Sequence, residues 1–247
     1  LGKDGRYEAK EPMSITAVSP NDIWAEEWES SHFWSKAEHL FIVYYHYTSD
    51  KAVKAIEYMA FPLVGYEFHE WDDDDAEALR KDWEKVRDFF RRIWDEEPDQ
   101  EAREARYPLL GQTLRRELML IDTSPRWPNP PRFRLKKDTV TTMVREHFGD
   151  SLEQLPGRYT SYEDIDATLH AVTERYRGMT IGEIADAFGV SRGAKQLMEQ
   201  VLVKMFGGKS KKMGSIELFA KTGVKLKSVP LMPSGIKKED MKLFQID

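Results

Sequence analysis

The chain has 247 residues, a net charge of −6 at pH 7, 40% hydrophobic residues and no cysteine. Its length and apolar content are sufficient for a buried core, and no apolar run reaches the roughly 18 residues that a membrane span needs. Without cysteine the chain has no disulfide, thiolate metal site or cysteine nucleophile, and it suits the cytoplasm, where we expect it to act. The acidic total also argues against non-specific nucleic-acid binding by the whole surface.

Three segments near the start of the chain have the composition of β-strands. Residues 13–17 alternate along the chain and are followed by Ser-Pro, which indicates the end of a strand. Residues 39–47, HLFIVYYHY, are mostly β-branched or aromatic and favour a central strand that is buried on both faces. A third strand is predicted within residues 60–71.

An acidic run at 72–75 opens a predicted helix that continues to residue 94. Four consecutive carboxylates diverge around the start of a helix, so we assign them to capping and solvation rather than to a metal ion. Apolar side chains then recur at helical spacing, and this predicts one face packed on a sheet. They are Leu79, Trp83, Val86, Phe90 and Ile93.

A proline-rich connection at 125–131 precedes the segment RFRLKK, which predicts a strand leading into a helix capped by Asp138 and closed by Gly149. Alternating cations on one side of a strand cannot be held in a core. We therefore predict that the basic residues of this segment contact DNA phosphates. They are Arg132, Arg134, Lys136 and Lys137.

The rest of the chain is predicted to be mainly helical. Residues 150–164 have the turn chemistry of a domain boundary, and Thr180 and Ser191 are predicted N-caps. The three predicted helices span 161–178, 180–189 and 191–208. A basic loop and a predicted β-hairpin at 224–247 follow, and their lysines suit a surface that tracks phosphates. These are Lys209, Lys211, Lys212, Lys225 and Lys227.

A short internal repeat suggests two copies of one domain. Residues 5–16, GRYEAKEPMSIT, and 235–244, GIKKEDMKLF, both run from Gly through a polar arm to Lys-Glu-x-Met. Such a repeat is expected where the same hairpin arm occurs in each domain.

Several ordered segments carry a resemblance to a known family. In the second part they are MTIGEIADAFGV, QVLVKMFGG and GVKLKSVP, and in the first part SSHFWSKAEHLFIVYYHY, LRKDWEKVRDFF and FRLKKDTVTTMVREHF. In these segments the sequence resembles the MutH mismatch-repair nicking endonuclease and the two-domain, GATC-cutting type II restriction endonucleases related to it. The resemblance implies an α/β (α+β) fold with a restriction-endonuclease-like mixed sheet flanked by helices, and a helix-rich second part.

The resemblance also implies a domain organisation. Residues 1–150 correspond to the latter part of a MutH-like nuclease domain, and residues 160–247 to the early part of a second, degenerate MutH-like domain. A working Asp and Glu-x-Lys set would then lie upstream of Leu1. A first domain without its beginning would expose a sheet edge and an apolar face. We expect the second part of the chain to fill the gap left there, and so to cover this edge and this face.

The family holds magnesium with Asp, Glu and Lys, plus a Glu from the preceding helix. Carried onto this sequence, the helix Glu falls on Lys204 and the Glu of Glu-x-Lys falls on Lys225, while Lys227 keeps its type. Glu217 lies one residue out of register with the Asp position. The resemblance therefore implies an inactive remnant, Glu217 with Lys227, and no magnesium held by this chain alone.

The sequence thus predicts the DNA-binding portion of a restriction-type endonuclease that acts on double-stranded DNA. Its other expected partners are a missing upstream segment or a second copy of itself, with no membrane. Two alternatives remain at this stage. The segment TIGEIADAFGVSRGAKQLMEQVL also has the pattern of a helix-turn-helix regulator, in which Arg192 and Lys195 would be exposed and unpaired. A catalytically inactive assembly or effector subunit is the third class.

Overall fold

The computed structural model describes residues 5–229, which form strands and helices of an α+β protein, as predicted. The strands are β1 (Met13–Ala17), β2 (His39–Tyr45), β3 (Leu63–Glu70), β4 (Ile121–Asp122) and β5 (Arg132–Leu135). The α-helices are α1 (Trp34–Ala37), α2 (Asp73–Glu96), α3 (Gln100–Arg106), α4 (Leu110–Leu114), α5 (Lys137–His147), α6 (Tyr162–Tyr176), α7 (Ile181–Ala187), α8 (Leu197–Met205) and α9 (Glu217–Thr222). Short 3-10 helices occur at Ile23–Ala25, Trp28–Ser30, Ala55–Ala60, Tyr107–Leu109 and Met213–Ser215.

The strands form two antiparallel sheets. In one, β5 lies between β1 and β4. In the other, β2 pairs with β3 over seven residues, with Phe41 opposite Phe68. The three early strands are confirmed, but the prediction that β2 is buried on both faces was wrong. Alternate β2 side chains are exposed, because the β2–β3 pair packs on the core through one face only.

Helix α2 is the longest element and its amphipathic face lies in the core. The five predicted apolar side chains are all buried, and Asp72 caps the helix by accepting the backbone N–H of Asp75 at 2.7 Å. Asp82, which is fully buried on the same helix, accepts three backbone N–H groups from residues 119–121 at 2.7–3.1 Å. These bonds hold α2 against the start of β4.

The predicted transition from strand to helix at RFRLKK is confirmed as β5 followed by α5. Lys136, not Asp138, is the N-cap residue, because α5 begins at Lys137 and Asp138 lies inside its first turn. There the carboxylate is near the positive end of the helix dipole. The predicted stop is confirmed, since Gly149 follows the helix with φ 93°.

The helices of the second part begin and end mostly where predicted. Ser161 caps α6, and Thr180 forms a capping box with Glu183 at the start of α7. Ser191 is not an N-cap, however. Residues 191–194 form a turn in which the Ala194 N–H donates to the Ser191 carbonyl, and α8 begins only at Leu197.

The second part packs on the first through several elements. Helix α9 lies against α5, and the Thr139 hydroxyl group lies 3.2 Å from the Lys221 carbonyl, to which it donates. The Lys85 ammonium also binds Glu163 at 3.0 Å. This contact does not cover the outer face of the β2–β3 pair, which is exposed. The expected gap-filling stays a prediction, because most of the final hairpin on which it depends lies outside the described residues.

Residues 224–229 are not a strand, and the rest of the predicted final hairpin lies outside the described residues, as does the 235–244 copy of the repeat. The domain division at 150–160 remains a prediction. Within residues 5–229 no helix is both long enough and apolar enough to cross a bilayer.

Candidate nucleic-acid interface

The RFRLKK segment places its four cations in different surroundings. Arg132 and Lys137 are exposed at the starts of β5 and α5. Arg134 pairs with Asp122 on the neighbouring strand, Nε to Oδ1 at 2.8 Å and Nη2 to Oδ2 at 3.0 Å. Lys136 is half-buried and donates to a backbone carbonyl, and this burial lowers its pKa. Arg132 and Lys137 are therefore the cations of this segment that are best placed to meet a phosphate.

The loop that follows α8 carries three of the predicted phosphate contacts. Lys209, Lys211 and Lys212 are all exposed there. The backbone N–H groups of Lys209 and Ser210 both donate to the carboxylate of Glu153, at 2.5 and 2.6 Å. An anion of the chain itself thus fixes the backbone of this loop, and the lysine side chains extend from a defined position.

Lysine occupies the two positions that the family resemblance assigns to metal-binding carboxylates. Lys204 on α8 is half-buried, and its ammonium donates to the Lys209 carbonyl at 3.3 Å. Lys225 and Lys227 are exposed on the irregular segment 224–229. The Lys204 ammonium therefore contacts the backbone of the basic loop and does not contribute a metal ligand.

Glu217, the other member of the predicted remnant, belongs to a different cluster. It lies on α9, where its carboxylate binds the Lys221 ammonium at 2.5 Å. The same ammonium binds both carboxylate oxygens of Asp75 on α2, at 2.7 and 2.8 Å, and the Lys221 side chain is only 9% exposed. This acidic seam, formed by Asp72, Asp75, Glu146, Glu217 and Lys221, connects the two parts of the chain.

The charges of the seam perturb one another. Burial alone lowers the pKa of Lys221, but the charges and hydrogen bonds of Asp75 and Glu217 raise it above its ordinary range. Burial raises the pKa of Asp75 in spite of its bond to Lys221. Burial and the charge of Glu217 raise the pKa of Glu146 to about 7. The seam thus holds more carboxylates than its single lysine can neutralise.

We tested whether this excess of carboxylates fits a magnesium site. Asp72, Asp75 and Glu217 can each offer one oxygen within 4.8 Å of the other two. Magnesium prefers oxygen ligands of this kind in an octahedral arrangement. The Lys221 ammonium already bridges Asp75 and Glu217, however, and a divalent ion would have to displace it. In this arrangement the lysine neutralises the two carboxylates.

Sequence reasoning missed the seam. The spacing of Glu217 and Lys221, at i and i+4 on one helix, predicts an ion pair between them. The acidic run was assigned to capping and solvation, which describes Asp72 but not Asp75. Their meeting depends on the packing of α9 against α5, which brings Lys221 within reach of Asp75 on α2, and no local pattern encodes that arrangement.

A cavity of about 670 Å³ lies between the two parts of the chain. The first part lines it with Glu8, Asp138 and Arg145, and the second part with Lys195 and Lys225. Both signs of charge are present, so the cavity favours neither an anion nor a cation. Its position shows that Lys225 faces a cleft shared by the two parts.

The helix-turn-helix alternative depends on Arg192 and Lys195. Arg192 is exposed and is paired with Asp186 on α7, Nε to Oδ1 at 3.0 Å. Lys195 lines the cleft, and the turn 191–196 separates α7 from α8. The pairing of Arg192 with Asp186 departs from the regulator alternative, whereas the exposure of Arg192 and Lys195 and the turn between α7 and α8 are features that this alternative shares.

Two comparisons with known proteins bear on the family. The MutH family, described as DNA mismatch repair enzyme MutH, matches residues 2–82. The type II restriction enzyme Sau3AI of Staphylococcus aureus is 23% identical over 251 residues, which covers 97% of this chain and 50% of the enzyme. The chain thus spans about half the length of this curated relative. The resemblance to MutH-like restriction endonucleases that the sequence segments indicated is confirmed.

Proposed function

We propose that this chain is the DNA-binding portion of a restriction-type endonuclease that hydrolyses phosphodiesters in double-stranded DNA, and that its own metal site is degraded. The similarity to MutH and to Sau3AI supports the enzyme class. The proposal includes the division into a nuclease-like part, residues 1–150, and a degenerate second part, residues 160–247.

The observation that carries this proposal is the position of Lys204. The resemblance places a metal-binding Glu there, whereas the Lys204 ammonium binds the backbone of the loop that presents Lys209, Lys211 and Lys212. Three exposed lysines on a loop of fixed backbone form a surface that can neutralise successive phosphates. Together with the exposed Arg132, they are our proposed DNA contacts.

Hydrolysis of this class uses a divalent ion held by carboxylates, with a lysine that orients the attacking water. Lysine at 204 and 225 adds positive charge where such an ion needs neutralisation, and Glu217 is bound to Lys221. Glu217 and Lys227 are therefore inactive remnants in this proposal. Magnesium, the cofactor that the resemblance implies for the family, would be held by residues outside this chain.

The proposed DNA interface can be tested by a mobility-shift titration on duplex DNA. The titration is repeated over a range of salt concentrations, once with magnesium and once with EDTA. The test variant carries Lys209→Gln, Lys211→Gln and Lys212→Gln. Each lost phosphate contact reduces the slope of log affinity against log salt by about 0.9, so we expect a slope smaller by about 3 and the same binding in magnesium and EDTA.

The control for this experiment carries the same change of charge elsewhere. Lys36→Gln, Lys51→Gln and Lys54→Gln replace three exposed lysines of the first part, and their slope should equal that of the wild type. Equal slopes for the two triple variants would refute the loop as an interface. A wild-type chain that binds no duplex at any salt concentration would instead be an assembly subunit.

A plasmid assay tests the degraded site separately. The intact chain should leave supercoiled plasmid uncut in magnesium. Cleavage that is lost in Lys227→Ala would overturn the proposal that Glu217 and Lys227 are remnants.

A further inference from the structure

The outer surface of the β2–β3 pair is apolar and exposed. Three cross-strand pairs form it, namely Phe41 with Phe68, Val43 with Tyr66 and Tyr45 with Leu63. We call these six residues the hairpin face, and each is between 43% and 77% exposed. No charged residue interrupts the three pairs, and the next pair along the strands, His39 with Glu70, is polar.

The β2–β3 pair cannot rotate to bury this face, because its opposite face is packed on the main core. Leu40, Ile42 and Tyr44 pack against the main core. On β3, the Glu67 carboxylate lies 2.6 Å from Nδ1 of His147 on α5. A shift of register by one residue would expose these inner side chains instead, so the present register is the one the core selects.

The hairpin face is large for a monomer. If each of its side chains has a full surface of about 150–250 Å², the exposed fractions correspond to roughly 700 Å². The largest apolar patch on a typical monomer is about 300–600 Å², and one partner of a standard interface buries about 800 Å². The exposed area is therefore close to what each subunit of a stable dimer contributes.

We propose that the hairpin face is the interface between two copies of this chain. Two such sheets stack face to face in an aligned packing, about 10 Å apart. A two-fold axis parallel to the strands places β2 of one copy over β3 of the other. The apolar pairs then meet at the centre, and the His39 and Glu70 ends meet reciprocally. Aromatic side chains at such a centre contribute much of the binding energy.

The hairpin face also differs from the proposed DNA contacts in its charge, because it has none. Interfaces with DNA are strongly positive, whereas the three central pairs carry no charge. The dimer therefore does not depend on the proposed DNA-binding function, and the two can fail independently.

Sedimentation velocity of the intact chain over a wide concentration range tests the dimer. We expect a dimer for the wild type and for the Lys209→Gln, Lys211→Gln, Lys212→Gln variant. Tyr66→Lys with Phe68→Lys places two charges at the centre of the hairpin face and should raise the dissociation constant at least about a hundredfold. Both positions are exposed, and circular dichroism would verify that the variant remains folded.

The matched control is Leu109→Lys with Met179→Lys, two exposed apolar residues outside the hairpin face. It should remain dimeric. A wild-type monomer at every concentration would overturn the proposal and point to a partner of different sequence, and so would a dimer that survives the Tyr66 and Phe68 changes.

A charge exchange tests the axis. His39→Glu alone should weaken the dimer, because it places a carboxylate opposite Glu70 of the other copy, and His39→Glu with Glu70→Lys should restore it. Failure of the double variant to recover would exclude the axis parallel to the strands.

Discussion

Arg132 and Arg134 lie two residues apart on β5, but only Arg132 is without a carboxylate partner among the contacts of the described residues. Arg132→Gln should therefore reduce the salt slope of DNA binding by about 1 and leave stability unchanged. Arg134→Gln instead removes a bidentate pair with Asp122, which is partly screened by solvent, and should lower the free energy of unfolding by about 0.5 kcal/mol. Salt-dependent binding and urea denaturation of both variants would measure these effects, and the reverse assignment would contradict them.

The sequence predicted which residues of this segment are basic but not which of them are paired. Alternation along a strand places Arg132 and Arg134 on one side, and that inference needs no tertiary information. The partner of Arg134 is on β4, a strand of only two residues that no local pattern predicts. A buried Asp82 was equally hard to anticipate, because its hydrogen-bond donors come from residues nearly 40 positions away.

At the scale of elements, Gly223 connects α9 to the segment that carries Lys225 and Lys227. Its φ is 69°, and a Cβ at this position would clash with the Asp138 carboxylate. Gly223→Ala should therefore lower the free energy of unfolding by about 1–2 kcal/mol, mainly through the left-handed backbone, because the exposed Asp138 carboxylate can rotate away.

Gly111→Ala is the matched control, because it adds the same methyl group within α4, where nothing lies within 4 Å. It should stabilise the protein by about 0.5 kcal/mol, since alanine favours a helix over glycine. Thermal or urea denaturation measures both variants. Similar effects of the two substitutions would show that the backbone at Gly223 adapts.

Elements were predictable where a local pattern determines them. The apolar stripe of α2 repeats over about four turns and identifies both the helix and its buried face. The run of β2 was misread, because an apolar strand can be buried on both faces or can expose one face for a partner. The start of α8 was misplaced because Ser191 has good capping chemistry but its backbone forms a turn.

At the scale of the whole molecule, the seam joins two parts that the sequence treated separately. Helix α9 brings Glu217 and Lys221 against Asp75, which is 146 residues away from Lys221. The resemblance predicted two related parts, but the contact between α9 and α5 is a tertiary arrangement that neither part specifies alone. The stability of the chain should therefore depend on this contact as a unit.

Lys221→Met tests that dependence directly. Methionine retains the length of the side chain but leaves Asp75 and Glu217 buried without a cation, so the free energy of unfolding should fall by about 3–5 kcal/mol. Because the pKa of Lys221 is raised above its ordinary 10.5, its contribution is fully present below that pH and is lost only as pH rises through the raised value. Lys221 also lowers the pKa of Glu146, which is about 7, and that of Asp75, so both pKa values rise further in the variant. The difference between variant and wild type should therefore grow as pH rises through about 7.

Lys211→Met is the control, since Lys211 is exposed in the basic loop and its replacement should change stability by less than about 0.5 kcal/mol. Glu217→Gln should cost less than Lys221→Met, because Asp75 still neutralises the lysine in that variant. Urea denaturation followed by circular dichroism measures all three. If Lys221→Met were as stable as Lys211→Met, the two parts would be held together by apolar packing between α5 and α9, and the ion pairs of the seam would be dispensable.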